Sequence, residues 1–287
     1  MDFVGAVLEA APVVVAELNR RLVAPAGCPR IAPERIDLLL ETDRPGAPWP
    51  LPEIDAVAEA IGRNVAELVR DGDCLQTGIG AIPAAILNAL GDREDLGLHG
   101  GLLDAGGRAL IEAGNVTGRR KAIDTGLHVT GMALGDEALM GWLAASPSVV
   151  FRGADHTHEV GVIRQLDNFV SVNSAVEIDL MGQVNAEVAG GRQISGTGGS
   201  VDFMRGARAS RGGRSIVAMH ATARGGTVSR IVPRVAVVTA LRTDVDLVVT
   251  EHGVARLDGL PLAQRADALI EIAAPQFREA LRAGEPL

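Results

Sequence analysis

Short apolar segments alternate with segments of helical spacing between residues 74 and 145, and this alternation limits the possible folds more than any other feature. In order, the predicted strands and the predicted helices that follow them are CLQTGIG and IPAAILNAL, LGLH and RALIEAG, and LHVTGMAL and EALMGWLAA. Short apolar strands that are each followed by a helix build a parallel or mixed sheet covered by helices on both faces. We therefore predict an open α/β fold.

The flanking segments extend this pattern. EIDAVAEAIGRNVAELVRDG has apolar residues at helical spacing and ends at a helix stop signal, Asp71-Gly72. After Ser148 the sequence predicts four strands, FVSVNSAVEI, SIVAMHAT, VAVVTAL and DLVVTEHG. Two predicted helices follow them near the end of the chain. Residues 1 to 50 contain only the strand-like PVVVAEL and RIDLLLETD, which are too few to close a core of their own.

Composition excludes several classes of function. The formal net charge of -9 over 287 residues argues against a sequence-independent nucleic-acid binder, because such a protein needs a basic surface. The apolar runs are too short to cross a bilayer and no signal-peptide pattern opens the chain, so we expect a cytoplasmic protein with no membrane partner. Cys28 and Cys74 lack C-x-x-C spacing, which predicts two buried thiols and no disulfide or cysteine zinc site.

Two glycine-rich turns stand between a predicted strand and a predicted helix. The first contains Gly78 and Gly80, and the second contains Gly196, Gly198 and Gly199. Glycines there let a ligand approach the backbone N–H groups at a helix N-terminus, which favours a phosphate or an oxyanion. Tight turns and surface loops also use glycine, so the first turn is a weak signal and the second is more informative.

Polar residues lie in or after two apolar strands. Asn173, inside VNSAVEI, is either a structural bridge whose amide is hydrogen-bonded in the core or a donor that faces a ligand. Glu251 follows the apolar strand DLVVT, at the end of the strand where parallel sheets present functional groups, although a carboxylate there also caps turns. The sequence has no G-x-S-x-G motif, which argues against an α/β-hydrolase triad.

Histidines mark two further segments. DLGLHGGLL predicts a short strand that ends at His99 and is followed by two glycines, which carry no reactive group. In GADHTHEVG, His156 and His158 share a face only if the segment is a strand, and the sequence places no third ligand for a metal. We therefore predict no metal site.

Together these segments resemble the acetyl-CoA hydrolase/transferase family of class I CoA-transferases, which includes 4-hydroxybutyrate CoA-transferase. The resemblance runs from about Glu9 to about Arg282 and is carried by LQTGIGAIP, DLGLH, VNSAVEIDLMGQVN, SGTGGSVDFMRGA, RGGRSIVAM, SRIVP, VVTEHGVARLDG and RADALIEIAAPQFREAL. It implies a class I CoA-transferase-like (NagB/RpiA-like) fold, in which two similar α/β domains enclose an acyl-CoA cleft. By this resemblance, residues 1 to 70 are the remnant of an N-terminal domain with a connecting helix, and residues 71 to 287 are the C-terminal domain.

The resemblance also implies roles for the residues singled out above. In this family a glutamate attacks the thioester, and an enzyme–CoA thioester forms before CoA passes to a second carboxylate. If the family's roles apply to this sequence, the backbone around Gly198 and Gly199 would contact the thioester or anhydride oxygen, and Asn173 would lie near the reacting acyl group. Glu251 would lie beside the nucleophile, and the turn at residues 78 to 80 would approach the same cleft.

The family's glutamate is missing from this sequence. Its motif usually reads His-Thr-Glu-Met, whereas this chain has His99, Gly100, Gly101 and Leu102, so Gly101 stands where the glutamate belongs. Loss of a covalent nucleophile costs several orders of magnitude in rate, so we expect no ordinary glutamyl transfer by this chain alone. The expected substrate is still a CoA thioester or a phosphopantetheine-bound acyl group, with no permanently bound cofactor.

Three functions remain open at this point. The first is an acyl-thioester hydrolase or related enzyme in which Glu251 or His99 is the general base. The second is a subunit completed by a partner chain or a second copy, which allows a conventional acyl-CoA:carboxylate CoA-transferase with a nucleophile supplied elsewhere. The third is an inactive CoA-binding or structural subunit. The first two are compatible, and we favour them jointly.

Overall fold

The computed structural model describes residues 2–25, 27–46, 49 and 53–284 of the chain. In chain order its strands are β1 (Val15–Asn19), β2 (Leu38–Thr42), β3 (Cys74–Thr77), β4 (Gly97–Leu103), β5 (His128–Ala133), β6 (Val149–Phe151), β7 (Phe169–Asn173), β8 (Glu177–Asp179), β9 (Val184–Asn185), β10 (Val188–Ala189), β11 (Arg192–Gln193), β12 (Arg214–Ala218), β13 (Thr222–Ala223), β14 (Val228–Ser229), β15 (Ile231–Val232), β16 (Leu247–Thr250) and β17 (Gly253–Arg256). Its α-helices are α1 (Val4–Ala10), α2 (Ala56–Ala66), α3 (Ala81–Asn88), α4 (Ala105–Glu112), α5 (Glu137–Ala145), α6 (Ala154–Thr157), α7 (Val160–Ile163), α8 (Ser200–Ala209), α9 (Leu262–Glu271) and α10 (Arg278–Ala283).

Eight strands form the main sheet, in the order β17-β16-β12-β7-β3-β4-β5-β6. All neighbouring strands are parallel except β16 and β17. The register pairs Cys74 of β3 with Gly97 of β4 on one side and with Phe169 of β7 on the other. The predicted open sheet is confirmed, and the antiparallel edge strand makes it mixed.

Helices cover both faces of this sheet, because successive side chains of a strand point to opposite faces. Leu75 and Val170 belong to the largest core cluster, which includes buried residues of α2 and α3. Their neighbours Cys74 and Phe169 belong to a different cluster, which includes Phe203 of α8. The helices α2 and α3 therefore pack on one face, and α8 packs on the other.

Three of the longer helices begin at a side-chain cap. Asp55, Asp104 and Asp136 each accept a hydrogen bond from the backbone N–H three residues later, at the starts of α2, α4 and α5. Helix α8, like α3 and α9, has no side-chain cap at its start in the described part of the chain, and Gly199 precedes it. Its first N–H groups therefore remain available to another acceptor.

Strands β1 and β2 form a separate two-stranded parallel sheet. No residue of either strand is buried. The successive residues Leu38, Leu39 and Leu40 are 53%, 50% and 51% exposed. Since successive strand residues point to opposite faces, both faces of β2 lack a packing partner among the described residues.

Two local predictions are wrong. VAVVTAL forms no strand, and only an isolated bridge at Ala240 pairs this segment, so Val237 and Val238 remain exposed. Cys74 is buried as predicted, but Cys28 is only half-buried, and both thiols are free. The remaining predicted strands and helices fall on observed ones, with shifted ends. Among the described residues, no helix combines the length and the apolar character needed to cross a membrane.

Candidate active site

The centre of the main sheet contains a topological switch point. β3 and β7 are neighbours, but the strands that follow β3 lie toward one edge of the sheet and those that follow β7 lie toward the other. In α/β proteins a crevice opens beyond the carboxyl ends of two such strands, and ligands bind there. β3 ends at Thr77 and β7 ends at Asn173. The candidate site therefore lies at this edge of the sheet.

Both predicted glycine turns reach the same edge. Helix α3 follows β3 and α8 precedes β12, and both strands are parallel to β7, so each helix begins at the carboxyl ends of the strands. Gly80 has φ +112° and Gly198 has φ +54°, which are conformations that favour glycine. Gly78 is half-buried and Gly196 is exposed. Because α3 and α8 cover opposite faces, the two turns flank the crevice.

A closed network of side chains, which we call the amide triangle, joins β3 to β7. Asn173 Nδ2 donates to Ser171 Oγ at 2.8 Å and to Gln76 Oε1 at 3.2 Å. Ser171 Oγ donates to the same Gln76 oxygen at 3.0 Å, and Gln76 Nε2 donates to Asn173 Oδ1 at 3.4 Å. Both amide hydrogens of Asn173 are therefore used. Of the two roles predicted for Asn173, the structure favours the bridge that is hydrogen-bonded within the core over the donor that faces a ligand.

The strand that contains His99 is longer than predicted. β4 continues from Gly97 to Leu103, because its backbone pairs with β5 as far as the partners Leu103 and Ala133. His99 therefore lies in the middle of the strand, and the predicted strand end at His99 is wrong. Gly101, where the resemblance expects a glutamate, lies within this strand.

Gly101 and Gly199 face the same imidazole ring, an arrangement that we call the glycine–imidazole contact. A Cβ atom built on Gly101 would lie 3.1 Å from Cε1 and 3.2 Å from Nε2 of His158. A Cβ atom on Gly199 would collide with the same ring. The absence of side chains at both glycines therefore creates the space that His158 fills, between β4 and the start of α8.

His158 is held by one hydrogen bond and one ring contact. Its Nδ1 lies 2.7 Å from Thr157 Oγ1, and its ring centroid lies 4.4 Å from that of Phe203. Burial lowers the pKa of His158, while the carboxylates of Asp2 and Asp202 act in the opposite direction. The ring is thus half-buried and favours its neutral form.

His99 is fully enclosed, with 0% of its surface exposed. Its ring lies 5.6 Å from that of His156 and 6.2 Å from that of Phe169, centroid to centroid. Neither ring nitrogen has a hydrogen-bond partner in the described part of the chain. Burial, assisted by the charge of Lys121, lowers the pKa of His99 to about 3. An enclosed side chain offers no surface to a substrate, so the structure does not support His99 as the general base.

One set of side chains has the composition of a metal site. Donor atoms of His99, Asp124 and His156 all lie within 4.8 Å of one another. His156 Nε2 and Asp124 Oδ2 are already joined by a 2.8 Å hydrogen bond, and Lys121 carries a positive charge close enough to lower the pKa values of both His99 and Asp124. That charge opposes a cation at this position. The absence of a metal stays a prediction.

The segment GADHTHEVG does not bring its two histidines to one ligand. It forms helix α6 and the start of α7 instead of a strand. His156 pairs with Asp124, whereas His158 faces Gly101. Sequence reasoning therefore missed the role of His158, because the ring is placed by glycines on two distant segments.

Glu251 lies directly after β16, as predicted, at the same edge of the sheet as Asn173. Its Oε2 accepts a hydrogen bond from the backbone N–H of Ala221 at 2.9 Å, and its side chain is 16% exposed. Burial lowers the pKa of Arg230, and the negative charge of Glu251 partly offsets that effect. Glu251 therefore anchors the loop after β12, and its contribution to chemistry stays a prediction.

Comparison with known proteins identifies the family. The model of the acetyl-CoA hydrolase/transferase C-terminal domain matches residues 135–284. The 4-hydroxybutyrate coenzyme A transferase of Clostridium kluyveri is 42% identical over 283 residues, which are 98% of this chain and 66% of the relative. This chain belongs to the acetyl-CoA hydrolase/transferase family. The resemblance drawn from the sequence motifs is thus confirmed.

Solved structures of similar proteins agree with this family membership. The 4-hydroxybutyrate CoA-transferase of Porphyromonas gingivalis has a TM-score of 0.88 and 40% identity, over 98% of this chain and 68% of that one. RipA from Yersinia pestis has a TM-score of 0.93 and 38% identity, over 99% of this chain and 65% of that one. The chain therefore has the fold of its CoA-transferase relatives but spans only about two thirds of their length.

Proposed function

We propose that this chain hydrolyses acyl thioesters, either acyl-CoA or a carrier-bound acyl group, without a glutamyl–CoA intermediate. The glycine–imidazole contact carries this proposal. At the position where the family's glutamate is expected, Gly101 faces the imidazole of His158 and the start of α8. A base and open backbone donors surround this position, and no carboxylate nucleophile is attached to it.

The glycine turns support binding of the thioester. The uncapped first turn of α8 leaves backbone N–H groups next to Gly199, and these groups are suited to the oxyanion that forms when a thioester carbonyl is attacked. The turn at residues 78 to 80 precedes α3 on the other side of the crevice. In this proposal the CoA thioester is the substrate, and no permanently bound cofactor is required.

We also propose that the β1–β2 sheet is covered in the working protein, by a partner subunit, a second copy or further chain. The support is the exposure of apolar side chains on both strands, with Val15 57%, Leu18 51% and Leu39 50% exposed. Uncovered apolar faces and open strand edges of this kind are typical of an interface. In this proposal residues 1 to 70 are the remnant of an N-terminal CoA-transferase domain together with the connecting helix α2, the missing part of that domain comes from whatever covers the β1–β2 sheet, and residues 71 to 287 form the C-terminal domain.

A thiol-release assay tests the proposed activity. The purified chain is incubated with acetyl-CoA, butyryl-CoA and longer acyl-CoAs, with and without acetate as an acceptor, and the free CoA thiol is measured. We expect thiol release that does not depend on acetate. After borohydride or hydroxylamine treatment, intact mass measurement is expected to show no glutamyl adduct. Acetate-dependent transfer, or an adduct on any glutamate, contradicts the proposal.

The interface is tested separately by light scattering of the chain alone. We expect a mass above that of one chain, and we expect Leu39→Ser to reduce it, because this change places a hydroxyl on the exposed apolar face. The matched control is Val228→Ser, at a residue that is also partly exposed but lies on β14. A well-behaved monomer in the unmodified chain argues against self-association and leaves a different partner chain or further chain as the cover.

A further inference from the structure

We propose that His158 is the general base of the hydrolysis, with Nε2 as the atom that takes a proton from the attacking water. This inference rests on the proposed function and names the group that replaces the missing glutamate. Nε2 lies 3.2 Å from the Cβ position of residue 101, so the base occupies the space of a side chain at that position.

The proposed role needs the tautomer of His158 that has its hydrogen on Nδ1. Thr157 Oγ1 lies 3.2 Å from the carbonyl oxygen of Gly153 and 2.7 Å from His158 Nδ1. In the proposed arrangement the hydroxyl donates its one hydrogen to Gly153 and accepts the Nδ1–H of His158, which leaves the lone pair on Nε2. Nε2 makes no hydrogen bond to any described residue, which leaves it open to water.

The surroundings keep the imidazole neutral and fixed. Phe203 packs against the ring, and Gly199 approaches it from the start of α8. Burial lowers the pKa of His158, and the carboxylates of Asp2 and Asp202 are the charges that partly oppose this shift. A half-buried neutral imidazole with one free nitrogen has the properties of a general base near neutral pH.

The proposed hydrolysis step needs no reactant other than water and the thioester. Nε2 takes a proton from water as the water oxygen bonds to the thioester carbonyl carbon. The oxyanion that results is stabilised by the free N–H groups at the start of α8. The carbon–sulfur bond then breaks, and the leaving thiolate receives the proton from the imidazolium. The products are a carboxylic acid and the CoA thiol, and His158 is regenerated.

Three other candidate bases, His99, His156 and Glu251, are enclosed or hydrogen-bonded. His99 is fully buried, and His156 is hydrogen-bonded to Asp124 through Nε2. Glu251 accepts the N–H of Ala221 and thereby holds the loop after β12. His156 also has a ring nitrogen, Nδ1, without a partner among the described residues, but of these groups it is His158 whose ring lies against Gly101.

The first test compares His158→Gln with His156→Gln. Both changes remove a histidine from the same short segment, but only the first removes the proposed base. We expect His158→Gln to lower kcat for acyl-CoA hydrolysis by about 100-fold or more, with KM changed little, and His156→Gln to change kcat by about threefold or less. Thermal unfolding of each variant shows whether the fold is retained.

A second variant keeps the test decisive if His158→Gln does not fold. Thr157→Val preserves the shape of a fully buried side chain but removes the acceptor of Nδ1–H. We expect a loss of kcat of about tenfold and an altered pH–rate profile, since the tautomer is no longer fixed. Long-range ¹H–¹⁵N correlation spectra of the unmodified chain are expected to show the hydrogen on Nδ1 of His158.

The outcomes separate the two proposals. An active chain whose rate is unaffected by His158→Gln overturns the role of His158 and leaves the hydrolase proposal standing. An inactive unmodified chain overturns both. A hydrogen on Nε2, or an acyl group covalently bound to His158, contradicts the general-base role directly.

Discussion

Two polar clusters lie at the active edge of the main sheet, and they differ in whether their hydrogen bonds are complete. In the amide triangle, Gln76, Ser171 and Asn173 satisfy one another. In the glycine–imidazole contact, His158 uses one ring nitrogen and leaves the other free. The two clusters therefore differ in what they can offer a substrate, since Asn173 has no free donor whereas His158 has a free ring nitrogen.

Filling the glycine–imidazole contact is the strongest way to test this comparison. Gly101→Glu places a side chain where the imidazole already lies, so His158 must move. We expect hydrolysis to fall by about 100-fold or more, measured as thiol release, because the base is displaced. Gly101→Glu combined with His158→Gly restores the space, and a glutamyl–CoA adduct on this double variant would show that the site still supports the family's chemistry. Unchanged activity in Gly101→Glu contradicts the assigned geometry.

The amide triangle is expected to respond in stability instead of rate. Asn173→Leu leaves Gln76 without its Asn173 partner in a buried site, which costs about 1–3 kcal/mol of unfolding free energy. We expect kcat to change by about threefold or less, because Asn173 has no free donor. Urea unfolding and thiol release measured on the same sample check both statements. A large loss of activity at unchanged stability would instead support the ligand-facing role that the resemblance implies.

Buried histidines without partners predict a loss of stability in acid. Burial lowers the pKa of His99 to about 3 and that of His128 to about 4, from 6.5. Below pH 6.5 these two histidines bind protons in the unfolded chain but stay neutral in the folded chain, so the unfolding free energy falls as pH falls. Each histidine contributes a slope of at most about 1.4 kcal/mol per pH unit, down to its folded pKa. His128→Gln is expected to flatten the curve in denaturant titrations between pH 7 and 4.5, and an unchanged curve would contradict this account.

The smallest expected effect concerns Glu251. Glu251→Gln keeps an oxygen that can accept the N–H of Ala221, so the loop anchor survives. We expect the unfolding free energy to change by about 0.5 kcal/mol or less and hydrolysis by about threefold or less. If this variant abolishes turnover while CoA binding measured by calorimetry is retained, then Glu251 is the general base and His158 is not.

The sequence predicts most of the architecture but not the centre of the site. Alternating apolar strands and helices indicate the sheet, because burial on both faces favours continuous apolar runs, as in residues 247–249 of β16. The same rule fails for VAVVTAL, since an apolar run forms a strand only when a partner strand is available. The sequence also cannot show that His99 is enclosed or that Asn173 is saturated, because both properties depend on contacts with distant segments.

His158 shows the same limit most clearly. The motif GADHTHEVG suggests histidine chemistry, but the ring acquires its position from Gly101 on β4 and Gly199 before α8. The missing glutamate at residue 101 and the histidine at residue 158 are separate facts in the sequence. Only the three-dimensional contact shows that one fills the space of the other.

The pairing of β3 with β7 also has a consequence for how the chain folds. Cys74 pairs with Phe169, so the middle of the sheet joins segments that are far apart in the chain. Such non-local pairing is slow, because much chain entropy is lost before the contacts form. During synthesis β3 and β4 can pair early, but one edge of β3 stays open until β7 leaves the ribosome. An open edge of this kind exposes the nascent chain to pairing with other chains until β7 has been synthesised.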